Sequence, residues 1–195
     1  MVDKKNLEEI GLKLAPRISK SINKIRKVQP NVRIKSDSSE WLLSEAIRTS
    51  KLGPSGWVQG NKNIKSDMWL TSNGKNLSVS HKSGVINLKK NTLQFSGYRL
   101  GRFGSFDDQI KAISRLNADL FVYIAGKQKA TADDPYYLVL FPGASLTYGT
   151  ADDWQKGDPI SKYNSDNLNA LINKSMSHQL WTTFNLEDNS FVVEL

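Results

Sequence analysis

Two dense apolar runs, DLFVYIAG at 119–126 and YYLVLFPG at 136–143, limit what this chain can fold into more than any other feature. Each is too short for a membrane span and lacks the polar alternation of a half-exposed strand. Such runs read as central strands buried on both faces of a sheet. Burial on both faces needs further layers, and the flanking sequence offers helices to make them. The chain is therefore expected to be α/β, with a mixed central β-sheet flanked by helices. Its 195 residues suit one domain, 1–195, with room for a real core.

Residues 3–28 read as a helix. Leu7, Ile10, Leu14, Ile18, Ile22 and Ile25 recur at steps of three or four and make one apolar stripe. Lys13, Arg17, Lys20, Lys24, Arg26 and Lys27 load the other side, so 1–30 form a basic amphipathic helical segment. The stripe suits a dimer contact, and the charge suits a DNA-facing arm or a solvated face. Pro16 is expected to kink this helix or start a new one. A second helix spans 36–53, with Ser and Asp as caps, Leu42, Leu43, Ala46 and Ile47 on its core face, and Gly53-Pro54 as its stop. Short strands are expected at 56–60, 67–71 and 76–82, the last two joined at Asn73-Gly74, a strong hairpin signal. Residues 105–117 read as a helix capped by Ser105, with Asp107 and Asp108 in its first turn. Residues 144–164 read as a loop and 165–176 as a short helix. HQLWTTFNL and SFVVEL close the chain as strands.

The chain has no cysteine, which excludes disulfides, thiolate metal sites and cysteine nucleophiles. Two histidines, His81 and His178, are too few for a histidine metal site or a Ser-His-Asp triad to be expected. Neither a zinc-binding histidine spacing nor the phosphate loop GxxxxGK[ST] occurs. GYRLGRFG at 97–104 has glycines without the strand context of a dinucleotide fingerprint. No stretch approaches the roughly 18 apolar residues of a membrane span, and the charged N-terminus lacks a secretory apolar run. The expectation is a cytoplasmic protein with no membrane partner. A net charge of +8 points to polyanionic partners, of which nucleic acid is the commonest.

The chemistry concentrates in SDMWLTSNGKNLSVSHKSG, residues 66–84. Side chains alternate along a strand. Leu77, Val79 and His81 then share the core face, and Ser78, Ser80 and Lys82 share the polar one. A hairpin closed at Asn73-Gly74 sets position 67 opposite about position 80. Asp67, Ser80 and Lys82 would meet at one end of the sheet. An aspartate holds a hard divalent cation through oxygen, and a lysine positions water or stabilises phosphate charge.

SD at 66–67 followed by VSHKSG at 79–84 resembles the PD-(D/E)XK nucleases, in particular small type II restriction endonucleases. The succession of helix, hairpin, basic segment, helix and buried strand over roughly 36–126 is similar as well. The resemblance implies a restriction-endonuclease-like core and a hydrolase that uses Mg²⁺. Asp67 matches the family's first, metal-binding aspartate and Lys82 its lysine. Ser66 stands in place of the proline, and Ser80 in place of the second acid. Branches with serine there recruit a carboxylate from elsewhere in the fold. The candidates are Glu40 and Glu45 on the preceding helix, and Asp107 and Asp108. Glu40 borders the Leu43/Ile47 face and is preferred. Asp107 and Asp108 read first as caps that complement the helix dipole. The expected catalytic set is Asp67, Ser80, Lys82 and Glu40, with the metal on Asp67 and Glu40. The resemblance further implies sequence-specific cutting of double-stranded DNA by a homodimer.

Residues 88–106 carry Lys89, Lys90, Arg99 and Arg102, no acid until the next helix, and Tyr98, Phe103 and Phe106 between them. Arginine reads guanine and lysine neutralises phosphate, so Lys89, Lys90, Tyr98, Arg99 and Arg102 are expected to contact DNA. The loop 144–164, with Tyr148, Trp154 and Lys156, is a weaker candidate. Two alternatives stand beside the endonuclease: a non-catalytic nucleic-acid-binding protein on the same fold, and a toxin-type RNase.

Overall fold

A mixed sheet of nine strands organises the chain. The structure is a computed structural model that describes residues 2–30, 34, 36–53, 68–115, 118–131, 133–186 and 189–195, at 36 and 37 for the backbone alone. In chain order the main elements are α1 (Lys4–Val28), α2 (Ser36–Thr49), β1 (Met68–Ser72), β2 (Lys75–Asn87), β3 (Thr92–Arg99), α3 (Phe106–Arg115), β4 (Leu120–Lys127), β5 (Tyr137–Pro142), β6 (Ile160–Asn164), β7 (Leu168–Asn173), β8 (Gln179–Asn185) and β9 (Phe191–Glu194). The strand order is β6-β7-β8-β3-β2-β4-β5-β9, with β1 also paired to β2. β2 and β4 run parallel, and the chain between them passes through β3 and α3.

The two apolar runs are the central strands β4 and β5. Leu120 through Ala125 and all of β5 are buried, as strands covered on both faces must be. One core lies between the sheet and α1 and α2. It joins Leu7, Ile10, Leu14, Ile18 and Ile22 to Leu42, Leu43, Val79, Val122 and Leu140. The other lies on the opposite face. It joins Ile110 and Ile113 of α3 to Phe95, Phe121, Tyr123, Phe141 and Phe184. The sheet curls enough to bring the Phe141 ring of β5 within 4.5 Å of the Phe184 ring of β8, centroid to centroid.

α1 runs unbroken through Pro16. Its apolar stripe is spent on the chain's own core, where Leu7, Ile10, Leu14 and Ile18 are fully buried. The stripe is therefore not the surface for a dimer contact that the sequence suggested. Ser105 caps α3 as expected, its Oγ accepting from the Asp108 amide at 3.2 Å.

Two expectations are corrected. Residues 165–176 are not a helix: β7 pairs with β6 on one side and β8 on the other, followed by a single 3-10 turn. Residues 144–164 are not only loop, because they end in β6 and include a 3-10 turn closed by a Thr150/Asp153 capping box. The strand expected at 56–60 lies outside the described residues. Among the described residues no helix is long and apolar enough to cross a membrane.

Candidate active site

β2 carries the site, and its neighbours define the surroundings. The hairpin turn holds Asn73 and Gly74 at φ of 51° and 71°, the left-handed region a tight two-residue turn requires. The hairpin register runs from Ser72↔Lys75 to Met68↔Val79, the pairing the sequence implied. Asp67, one residue further, lies outside the described residues. β3 joins β2 only from Val85↔Gln94 onward. β4 occupies the other edge of β2 throughout Val79–Ile86. Between Ser80 and Gly84, then, β2 lies in a fork, past the described end of β1 and ahead of β3. At the start of the parallel pair, Ser78 donates from both N and Oγ to Asp119 Oδ2, at 2.9 and 2.7 Å.

The alternation is as expected, but the face that Ser80 and Lys82 share is not a polar surface: it is the face of the second core. Val79 belongs to the core beneath α1 and α2. Ser80 and Lys82 pair in register with Phe121 and Tyr123, which belong to the opposite core. Ser80 is buried, with 3% of its surface exposed, and Lys82 is half-buried. A lysine is seldom so placed on an internal strand.

His81, between them, turns to the helix side. Its Nδ1 lies 2.8 Å from the Val122 carbonyl, which can only accept, so Nδ1 carries the proton. In the neutral ring Nε2 then accepts from Ser39 Oγ, also at 2.8 Å. His81 is a buried, hydrogen-bonded histidine, as its place on the core face implied. The bond has a positional consequence. It clamps the first turn of α2 against β2, at the residue between Ser80 and Lys82. Glu40 is the next residue after Ser39, half-buried on the flank of α2's core face. No sequence signal ties Ser39 to His81, forty-two positions away.

The other candidate acids are engaged elsewhere. The Glu45 carboxylate takes two hydrogen bonds from the Arg48 guanidinium, at 2.6 and 2.9 Å, and these hold it below the usual carboxylate range. Asp108 accepts from the Ser105 hydroxyl and amide, which lower it likewise. Asp107 is exposed in the first turn of α3. Among the described residues no three His, Asp or Glu side chains converge on one point. Among the described residues the candidate oxygen donors are Glu40, on α2 over one face of the sheet, and Ser80, on the other face of β2, and Asp67 lies outside the described residues. Mg²⁺ favours oxygen ligands and keeps several waters, so carboxylate and hydroxyl donors suit it in kind.

The basic residues separate into two groups. Lys89 and Lys90 are exposed on the turn joining β2 to β3, beside a cavity of about 600 Å³ that Lys127 also lines. Arg99 and Arg102 are exposed at the far end of β3, about 23 Å away along seven strand steps. β3 parts from β2 beyond the Val85↔Gln94 pair and shifts register against β8 between Ser96 and Arg99, so Tyr98 and Arg99 lie past the fork on a strand no longer paired to β2. Tyr98 is half-buried there. Arg99 Nε reaches Gln179 Oε1 at 3.4 Å, and Arg102 stands over the Phe103 ring at 4.8 Å. The weaker candidate, the loop 144–164, is corrected. Tyr148 and Trp154 are core residues, joined by a bond from Trp154 Nε1 to the Tyr148 carbonyl. Lys156 lies over the Phe106 ring. These side chains serve packing.

Compared with protein-family models, with curated proteins and with solved structures, the chain matches none.

Proposed function

We propose that this chain is a Mg²⁺-dependent endonuclease of the PD-(D/E)XK kind, acting in the cytoplasm as a homodimer on specific sequences in double-stranded DNA. One observation carries the reading. A half-buried lysine, Lys82, stands on a central strand at a fork, and the Ser39–His81 bond fastens α2 to the other face of that strand at the preceding residue.

In this reading Asp67 would hold the cation, with the Ser80 hydroxyl as a further oxygen, and Glu40, whose helix covers the other face of the sheet, would have to reach round the strand to join them. When bound, the ion neutralises developing phosphate charge and acidifies a water. Lys82 donates from its ammonium to that water or to a phosphate oxygen, which fixes the line of attack. Arg99, past the fork, positions the phosphate backbone. Water adds to phosphorus, the P–O bond to one sugar breaks, and the leaving oxygen takes a proton.

The test is cleavage of phage or plasmid DNA in Mg²⁺ against an EDTA control. Discrete bands are expected, with the rate falling at least about a hundredfold in Asp67→Ala and in Lys82→Ala. Cleavage that survives both changes would reject the assignment. Ser80 at the acid position favours one second reading, a DNA-binding protein that does not cut. Retarded but intact DNA would select it, and a structured RNA digested in parallel separates out a toxin-type RNase.

A further inference from the structure

The two ends of the sheet are finished differently. At one end the outer side of β6 is occupied, because Lys162 exchanges both main-chain hydrogen bonds with Gln155, at 2.8 and 3.0 Å. At the other end β9 pairs with β5 alone among the described strands. Leu195 donates from its amide to the Tyr136 carbonyl at 2.9 Å. By the alternation of an antiparallel ladder, Phe191, Val193 and Leu195 then turn their main-chain groups towards β5, and Val192 and Glu194 turn theirs outwards. No described residue pairs with that outer side. An edge with unpaired groups is a template for another strand, and proteins commonly blunt it with lysine, proline or a bulge. FVVE at 191–194 contains no lysine or proline, and its register against β5 is unbroken.

The side chains at this edge are apolar and half-exposed. Phe191, Val193 and Leu195 pack against the core beneath the helices without being buried in it. α1 lies over β5 and β9, with Gly11 against the Phe191 ring. Leu12, the next residue, is 65% exposed. Asn6 marks the other flank of α1, where it bonds Asn73 of the hairpin at 2.7 Å.

The edge is complementary to itself. About a two-fold axis through Val193, Val192 of one copy faces Glu194 of the other, and each such pair exchanges both main-chain bonds. Val193 faces its own copy, and no carboxylate stands directly opposite another. The axis is perpendicular to the sheet, so the two copies of Lys82 lie on one side of the joined sheet and the two copies of α1 on the other. A helix over β5 and β9 lies about one strand spacing from that axis, which sets the two α1 helices about 10 Å apart, at packing distance. From β2 through β4 and β5 to β9, and across the axis to the β2 of the second copy, are seven strand spacings of ~4.8 Å, about 34 Å along the sheet. One turn of duplex DNA, the usual spacing of half-sites, is about 34–36 Å. Resting on the reading above for the homodimer alone, we propose that two copies of this chain join through their β9 edges into one continuous sheet, with α1 packed on α1 across the axis.

The experiment is sedimentation velocity on the full chain, in EDTA and without DNA. Wild type is expected to be a dimer. Val192→Pro removes an outward amide and leaves the β5–β9 ladder whole, so a monomer with unchanged far-UV circular dichroism is expected. Leu12→Lys should weaken the dimer by about tenfold. The chain has no cysteine, so a single one reports contact. Facing Cβ atoms of such a pair lie about 4.5–5.5 Å apart, near disulfide reach. Under mild oxidation Val193→Cys should form a covalent dimer where Leu88→Cys, exposed on the turn joining β2 to β3, does not. A monomeric wild type, a V192P protein that still dimerises, or V193C that cross-links no faster than L88C overturns the proposal. Should V192P fail to fold, an L12K dimer as tight as wild type is a rejection. The two readings fail separately: a monomer that cuts DNA removes the edge dimer and keeps the nuclease, and a β9-dependent dimer that leaves DNA intact does the reverse.

Discussion

His81 turns its ring away from Lys82 and into the core beneath the helices, and two buried polar groups depend on it. In His81→Ala the Ser39 hydroxyl and the Val122 carbonyl each lose this hydrogen bond. A buried hydrogen bond contributes about 0.5–1.5 kcal/mol net, so a loss of about 1–3 kcal/mol is expected in urea denaturation. A loss below about 1 kcal/mol would mean that water reaches this pair. The same variant frees the Glu40 turn, so DNA cleavage should fall while DNA affinity is kept. Tyr148 allows a second prediction, this one about pH. Burial pushes its phenol above the ordinary value of 10.0, and the hydroxyl bonds Thr182 Oγ1 at 2.9 Å. A folded value above the unfolded one stabilises the protein fully below pH 10.0, and that contribution is lost as pH rises through the folded value. The stability of wild type minus that of Tyr148→Phe should therefore be flat below pH 10.0 and fall by about 1.4 kcal/mol per unit above it. Lysine titration is common to both proteins and cancels. A flat difference across alkaline pH would refute the burial argument.

At the scale of elements, close approach sets what the sequence must be. A Cβ on Gly143 would fall 1.7 Å from the Ala118 carbonyl oxygen, a backbone atom fixed where β4 begins. A Cβ on Gly11 would fall 2.1 Å from the Phe191 ring, a side chain that can turn. Gly143→Ala should therefore cost more than Gly11→Ala, for which about 1–3 kcal/mol of overpacking outweighs a gain of about 1 kcal/mol in helix propensity. Thermal melts of the two variants settle the order. The same contrast shows which elements could be read from the sequence. β4 and β5 were legible because nothing but double burial accommodates runs like FVYIA and LVLF. The Asn73-Gly74 turn was legible because both residues must adopt positive φ. β7 was not. In NLNALIN the buried residues Leu168, Ala170 and Ile172 alternate, but Leu171 between them also fits a helical stripe, and so short a run leaves periodicity undecided. Pairing with both β6 and β8 decides it, and that information lies in distant residues. The site was half legible for a related reason. Alternation gave the faces of Ser80 and Lys82, whereas the Ser39–His81 clamp and the separation of the basic residues by the length of β3 exist only in three dimensions.

On the whole molecule, the position of the positive charge matters more than its sum. α1 presents Lys13, Lys20 and Lys24 to solvent beyond the core that lies beneath it, on the opposite side of the sheet from Lys82. A duplex seated on the Lys82 face cannot also lie along α1. Arg99 and Arg102 are exposed at the far end of β3 from Lys89 and Lys90, which sit on the turn joining β2 to β3. Each phosphate neutralised by the protein contributes about 0.9 to the slope of log affinity against log salt. Arg99→Ala with Arg102→Ala should therefore lower that slope by about 1 to 2, and weaken binding to every sequence alike unless one arginine reads a base. Lys13→Gln, Lys20→Gln and Lys24→Gln together should leave the slope unchanged, although they remove more charge. Lys89→Ala with Lys90→Ala measures how far the duplex extends: a loss of slope places phosphates about 23 Å from the Arg99 end, which needs a footprint of about seven base pairs. Titrations of DNA fragments at several salt concentrations, in EDTA, provide all three numbers. A slope that falls with the α1 variant and not with the arginine variant would move the duplex to the helical face and separate the charge from the lysine on which the chemistry depends.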